Sequence, residues 1–167
     1  MIIRRAQLAD IPAITEIYNE AILTTTATFD TDPKTEEQQR AWFEAHGDRY
    51  PVIVAELEDS VVGWASLGPW SDRLAYRETA ESSFYVKSEH RGHGVGRKLK
   101  LAILEEARRA GFHTVLARVA EGSDASLHLN EACGFEHVGV MKEVGLKFGR
   151  RLDVHLMQKI VGAGSDG

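Results

Sequence analysis

The chain has 167 residues, 43% of them hydrophobic, 27% charged and 8% aromatic, a length and balance that suit one globular domain with a real core and not a disordered or collagen-like chain. Twenty Lys and Arg against 25 Asp and Glu leave a formal charge of -5, so the net field repels phosphate polymers and nucleic acid is not an expected partner. No apolar run approaches the roughly 20 residues of a membrane span, and residues 1–5 lead straight into patterned sequence, so the expectation is a cytoplasmic protein with no membrane partner.

Ile2 and Ile3 open a short first strand, and Asp10 stands as an N-cap before Ile14, Ile17, Tyr18, Ala21 and Ile22, whose spacing is helical. Thr35 and Gln38 make a capping-box pattern for a second helix that carries Ala41, Trp42 and Ala45 and ends near Gly47. Residues 50–57 and 61–67, separated by Glu58-Asp59-Ser60, predict an antiparallel hairpin. A loop over 68–78 carries Trp70, Asp72 and Arg73, and 79–86 is the next strand. After a turn-rich stretch over 88–94 the pattern becomes helical, with Val95, Leu99, Ala102, Ile103 and Ala107 on one face. Arg108 and Arg109 suit the negative end of that helix and Gly111 stops it. Residues 114–119 predict a strand, 126–133 a short helix closed by Gly134, and 135–142 and 152–158 two more strands. The expected architecture is α+β, a mixed and largely antiparallel sheet flanked by helices in one domain over 1–160, with 161–167 a disordered tail. The single cysteine, Cys133, excludes an intrachain disulfide and any multi-thiolate zinc site, and is read as a small buried apolar residue.

The segment that carries chemistry is Phe84-Tyr85-Val86, a short loop, then Arg91-Gly92-His93-Gly94-Val95-Gly96-Arg97 running into a long amphipathic helix. Three glycines in five residues let the backbone turn tightly and present free N–H groups, and the helix N-terminus adds about half a positive charge. This is an anion cradle. At about 1.5 to 3 kcal/mol for each hydrogen bond to a charged oxygen, four or five amides with Arg91 and Arg97 suffice for micromolar pyrophosphate binding after association costs. A P-loop needs Gly-Lys followed by Ser or Thr, whereas Gly96 is followed by Arg97, Lys98 and Leu99. A dinucleotide fingerprint needs a third glycine where Arg97 stands. His90-x-x-His93 has a metal-like spacing without a third ligand, and no metal is expected.

Arg91-x-x-Gly94-x-Gly96 after a strand resembles the acetyl-CoA signature of the GCN5-related N-acetyltransferases, and Ser126-Leu127-x-Leu129 with Gly134-Phe135 resembles that family's second cofactor element. Ile17-Tyr18-Asn19, Thr24 to Thr28, Trp42-Phe43, Trp70, Tyr76-Arg77-x-Thr79-Ala80-Glu81-x-Ser83-x-Tyr85-Val86 and Gly145-x-Lys147-x-Gly149-Arg150-x-x-Asp153 look like the phosphinothricin and methionine sulfoximine/sulfone acetyltransferases. The resemblance implies acetyl-CoA as cosubstrate, a small-molecule amine as acceptor, and a homodimer in which C-terminal segments approach the partner's site. It implies that the backbone of Phe84, Tyr85 and Val86 runs beside the pantetheine arm on a splayed strand. Arg91, Gly92, His93, Gly94, Val95, Gly96 and Arg97 would hold the pyrophosphate. Ser123 stands where the family usually has an Asn touching the cofactor, with a shorter reach. Ser71, Asp72, Arg73, Arg77, Glu81, Ser82 and Ser83 would line the acceptor site.

An amine attacks a thioester only when neutral, and an α-amino group of pKa about 8 is roughly 10% neutral at pH 7, so a modest base suffices. Glu81 is the candidate, directly or through one water. An ordinary strand carboxylate gives the same sequence signal. Arg73 and Arg77 are candidates to clamp a substrate carboxylate, and either fits equally a solvated loop charge. Related enzymes often place Tyr or His where this chain has Asn130, which cannot act as an acid but can donate a hydrogen bond to sulfur. His128, two residues away on the same helix, is read as surface. A non-catalytic acetyl-CoA-binding module and acetylation of another amine, such as a protein N-terminus, remain open at this stage.

Overall fold

Alternation along β2 (Val52–Leu57) sets up the layers: Val52 and Val54 join Ile14, Ile17 and Trp64 on one face of the sheet, while Ile53 and Ala55 join Leu99, Ile103 and Phe112 on the other. A computed structural model describes residues 1–162. Its elements run β1 (Ile2–Arg5), α1 (Ile11–Thr24), α2 (Glu36–His46), β2, β3 (Ser60–Pro69), β4 (Thr79–Val86), α3 (Val95–Arg109), β5 (Thr114–Ala120), α4 (Asp124–Ala132), β6 (Glu136–Lys147) and β7 (Arg150–Ile160). The strands form one sheet in the order β1-β2-β3-β4-β5-β7-β6. Every neighbouring pair is antiparallel except β4 and β5. Helices α1 and α2 cover one face, and α3 covers the other through Leu99, Ile103 and Ala107. The expected α+β class holds.

Local chemistry explains most boundaries. Glu58 and Asp59, at φ 49° and 61°, make the two-residue turn that joins β2 to β3, so β3 starts at Ser60. The capping box at α2 forms as expected: Gln38 N–H donates to Thr35 Oγ1 at 3.1 Å and Thr35 N–H to Gln38 Oε1 at 2.9 Å. The final two strands run longer than the apolar pattern indicated. β6 is bulged after His137 and Met141 and is solvent-exposed over most of its length, so its apolar residues do not alternate with polar ones as a half-buried strand would. Val161 is 2% exposed, and Val161 N–H donates to the His113 carbonyl at 2.8 Å, so packing continues past 160. Residues 163–167 of the expected tail lie outside the described residues.

Asp10 stands at the N-cap position of α1, as expected. Its side chain does not cap α1; it accepts from both terminal nitrogens of Arg4 at 2.8 and 2.9 Å and from Gln7 N–H at 2.7 Å. Burial opposes its charge, but Arg4 and the Gln7 amide outweigh it and hold the carboxyl below its ordinary value. Because the folded-state pKa lies below the unfolded one, this stability is present above pH about 4 and is lost as pH falls through the folded pKa. Asp10→Asn is expected to lower stability by about 1 to 3 kcal/mol at neutral pH. Urea midpoints of the two proteins are expected to converge on acidification, and parallel profiles would assign the loss to packing alone.

Candidate active site

The site begins where the sheet splits. Strand β4 pairs with β3 along its whole length, from Ala80↔Pro69 to Val86↔Gly63, but with β5 only at Thr79↔Thr114, Ala80↔Val115 and Glu81↔Leu116. From Ser82 onward β4 has one free edge, and its backbone N–H and C=O groups on that edge are available to a ligand. A cleft of about 730 Å³ occupies this gap, and Thr25, Val86, Arg91, Gly94, Arg97 and Ser123 are among the residues lining it.

The cradle lies at one end of the cleft. Gly92 and Gly94 sit at φ 76° and 83°, which a glycine adopts without strain, and Gly94 caps α3. The first intrahelical bond is Lys98 N–H to the Gly94 carbonyl at 3.2 Å, so the amides of Val95, Gly96 and Arg97 precede the helix's own bonding. Gly96 is needed for a second reason: a Cβ there would stand 3.1 Å from the Phe84 ring and 3.2 Å from Leu129, so α3 can approach β4 and α4 this closely only without one. The Val95 side chain is core and contributes only its amide. Arg91 Nε donates to the Val86 carbonyl at 3.0 Å, which fixes the guanidinium at the cleft wall, and Arg97 lines the same wall. His93 is exposed and lines neither this cleft nor the chambers described below. Among the described residues no group of three His, Cys, Asp or Glu is placed to hold a metal ion.

Inward from the cleft, a smaller cavity of about 50 Å³ lies between β4 and β5, sharing Phe84, Tyr85, Ser123 and Ser126 with it. Asn130, 1% exposed, closes it from α4; its Nδ2 donates to the Ser126 carbonyl at 2.8 Å, and its Oδ1 is buried with no partner among the described residues. Lys100 closes it from α3. That residue is 1% exposed, and its Nζ donates to Ser82 Oγ at 2.6 Å. Burial pulls the ammonium down to about 7. The sequence reading missed Lys100. The signal was present, because Lys100 falls one turn past Gly96 and between Leu99 and Ile103 on the apolar stripe of α3, where a lysine is out of place. His128 is exposed, as expected.

Glu81 stands at the fork where β4 and β5 separate, ion-paired to Arg118 of β5, whose guanidinium also lies 5.0 Å from the Trp70 ring centre. Arg118 was a second omission of the sequence reading. Ser82 turns toward α3 and accepts from Lys100, while Ser83 lines a chamber on the α1–α2 side of the sheet. That chamber, about 360 Å³, is walled by Tyr18, Trp42, Trp64 and Tyr85, and the buried Nε1 of Trp64 and Nε2 of Gln39 beside it have no partner among the described residues. Burial pushes both the Tyr18 and Tyr85 phenols up. Asp72, Arg73 and Arg77 are exposed and Ser71 half-buried on the segment before β4, and none of the four lines a chamber. Arg77 is tied there through its carbonyl, which accepts from Arg49.

The opposite wall of the cleft is the segment after α1. Lys147, 4% exposed in β6, donates from Nζ to the carbonyls of Thr25 and Thr28, each at 2.8 Å. Thr26 Oγ1 donates to the Glu121 carbonyl at 2.9 Å. These bonds hold Thr25, Thr26 and Ala27 against the cleft.

This geometry agrees with what the chain is similar to. The model of the acetyltransferase (GNAT) family matches residues 14–135. The chain is 43% identical over 159 residues to the L-amino acid N-acyltransferase MnaT of Escherichia coli, covering 95% of this chain and 92% of that protein. It is 42% identical over 158 residues to the L-methionine sulfoximine/L-methionine sulfone acetyltransferase of Pseudomonas paraeruginosa, covering 93% and 92%. The crystal structure of a phosphinothricin acetyltransferase from Sinorhizobium meliloti in complex with acetyl-CoA superposes with a TM-score of 0.95 at 36% identity, covering 99% of this chain and 91% of that one. With a splayed β4 edge, a glycine cradle at the start of α3 and relatives of this identity over nearly its whole length, the chain belongs to the acetyltransferase (GNAT) family.

Proposed function

We propose that this chain acetylates the amino group of a small amino-acid analogue of the phosphinothricin, methionine sulfoximine or methionine sulfone type, with acetyl-CoA as donor. The observation that carries the reading is continuity: the cradle at α3 opens onto the free edge of β4, and that edge leads to Glu81 at the fork. Names of the relatives support the acceptor class. Bound acetyl-CoA supplies an acetyl carbonyl activated by sulfur. The chain's own residues do the rest. The amides of Val95, Gly96 and Arg97, with Arg91, take the pyrophosphate. The free edge of β4 over Phe84, Tyr85 and Val86 takes the pantetheine arm, and Ser123 and Asn130 border its path. Glu81 accepts the proton of the incoming amine, and Arg118 orients its carboxylate.

Arg73 and Arg77 remain the proposed carboxylate clamp, with Ser71, Asp72 and Ser83 as neighbours. A homodimer belongs to the same proposal. Val138, Val140, Val144, Leu146 and Phe148 are 44 to 67% exposed along the β6 hairpin, an apolar face of the kind a second copy covers. The protein is proposed to act in the cytoplasm.

The test is release of free thiol from acetyl-CoA with methionine sulfone, methionine sulfoximine and phosphinothricin beside ordinary amino acids and peptides. Turnover on the three analogues supports the reading, and turnover only on peptides would move the acceptor to a protein N-terminus. Gly94→Ala tests the cradle. A Cβ at this left-handed position costs about 1 to 2 kcal/mol, which the free loop relieves by turning out of the cradle conformation, so the binding-competent population and with it coenzyme A affinity are expected to fall about 5- to 30-fold by calorimetry. An unchanged affinity would place the pyrophosphate elsewhere.

A further inference from the structure

Breaking a thioester leaves a thiolate that needs a proton, and α4 offers Asn130 at the inner cavity, which has none to give. The ionisable side chains lining that cavity are Tyr85, Lys100 and Arg118. Burial pushes the Tyr85 phenol up, away from use as an acid, and Arg118 is committed to Glu81. Lys100 differs from both. Its Nζ bonds to Ser82 Oγ, lies 4.3 Å from the Phe135 ring centre and takes part in none of the chain's ion pairs among the described residues. Glu81 of β4 and Cys133 at the end of α4 face it; beyond them, Arg118 pairs with Glu81, and Arg97 and Lys159 act on Cys133. With the ammonium drawn down to about 7 by burial, it can gain and lose a proton in neutral solution.

Resting on the acetyl-transfer reading above, we propose that Lys100 and Ser82 form the relay that protonates the departing coenzyme thiolate. As the acceptor nitrogen bonds to the acetyl carbon and the carbon–sulfur bond breaks, the electron pair left on sulfur takes the Ser82 hydroxyl proton. Ser82 Oγ in turn takes a proton from the Lys100 ammonium. The acceptor nitrogen gives up two protons, one as the ammonium becomes the attacking amine and one as the amide forms; both pass through Glu81 to water, and Lys100 is recharged from solvent. Each turnover therefore yields the acetylated amine, coenzyme A as free thiol and one proton. Ser82 reaches the cavity, and Lys100 acts through it as a positioning residue and proton source.

The test needs no assumption about the acceptor. In protein labelled at lysine Cε, one carbon resonance that is missing from Lys100→Met is expected to titrate near neutral pH, not near the ordinary lysine value of about 10.4. Unfolding free energy of the wild type is expected to rise with pH between about 7 and 10 relative to Lys100→Met, because the unfolded state then binds more protons. Turnover of Lys100→Met is expected to fall about 10- to 100-fold, with acetyl-CoA affinity changed less than about threefold and with the alkaline decline of kcat abolished. Lys100→Arg keeps a charge but cannot release a proton, so it is expected to behave like the Met variant. Rescue by Arg, a titration near 10, or an acetyl group found on Lys100 by peptide mass mapping would overturn the relay. If Lys100→Met fails to fold, Ser82→Ala decides: an unchanged alkaline limb overturns the proposal, and its loss supports it. Failure of the wild type to bind acetyl-CoA in calorimetry is a separate outcome, which removes the transfer reading itself and the relay with it.

Discussion

Replacing Glu81 with Gln is expected to lower turnover about 10²-fold while acetyl-CoA affinity changes less than about threefold. Glu81 occupies the last residue at which β4 still pairs with β5, so its position is fixed by two neighbouring strands at the point where the cleft begins. Arg118 takes Oε2, and among the described residues no hydrogen bond engages Oε1, which is the lone-pair site left for an incoming amine or a bridging water. General-base catalysis contributes about 10²- to 10⁴-fold. The low end applies because an α-amino acceptor is already about 10% neutral at pH 7, so deprotonation accounts for about 1.4 kcal/mol and orientation of the attacking nitrogen for the remainder. Gln keeps the shape and the hydrogen bond to Arg118 but cannot take the proton. The proposed coenzyme contacts are several residues further along β4 and at α3, which is why affinity is expected to hold. Equal turnover of the two proteins from about pH 6 to 9 would remove Glu81 from the mechanism and leave it as the anchor of Arg118.

What the sequence disclosed follows from how local each feature is. Strand 79–86 and the start of α3 were legible because glycine punctuation and the apolar stripe are contained in one short window. The cradle was legible for the same reason. The N-cap position of Asp10 was legible, but its bonds to Arg4 and to Gln7 N–H were not, because they form only once β1 and the turn before α1 are brought together. Arg118 was missed because it sits at an ordinary exposed position of a strand whose neighbours are buried, and only the parallel pairing of β4 with β5 brings it to Glu81. The aromatic chamber draws Tyr18, Trp42, Trp64 and Tyr85 from four elements, so no window contained it. Lys100 was the avoidable omission, since a cation within the apolar stripe of α3 contradicts the pattern around it.

Lys147→Met is expected to cost about 2 to 4 kcal/mol of stability and to weaken acetyl-CoA binding, through one set of bonds. The lysine is almost fully buried, yet among the described residues no carboxylate bonds to it; its Nζ spends two hydrogen bonds on the carbonyls of Thr25 and Thr28. Burial lowers its pKa, and Asp30 opposes that fall by charge alone. Two charge-assisted bonds contribute about 1.5 to 3 kcal/mol each, and the desolvation of the ammonium that Met removes offsets part of this. Met fills the volume, so the loss is one of polar satisfaction, with the buried Thr28 carbonyl and the partly buried Thr25 carbonyl left without the ammonium. The functional consequence follows from where those carbonyls sit. Thr25, Thr26 and Ala27 form the wall opposite the α3 cradle, and Lys147 ties that wall to the far edge of the sheet. Phe29 packs against Gly145 in the same hairpin, where any Cβ would meet its ring, so the tie has no room to be rebuilt by a larger neighbour. Denaturant midpoints and coenzyme calorimetry are therefore expected to shift together, by several-fold in affinity. A loss of stability with unchanged affinity would mean that the cleft wall holds without Lys147, and a stability change below about 1 kcal/mol would mean that water satisfies the two carbonyls in its place.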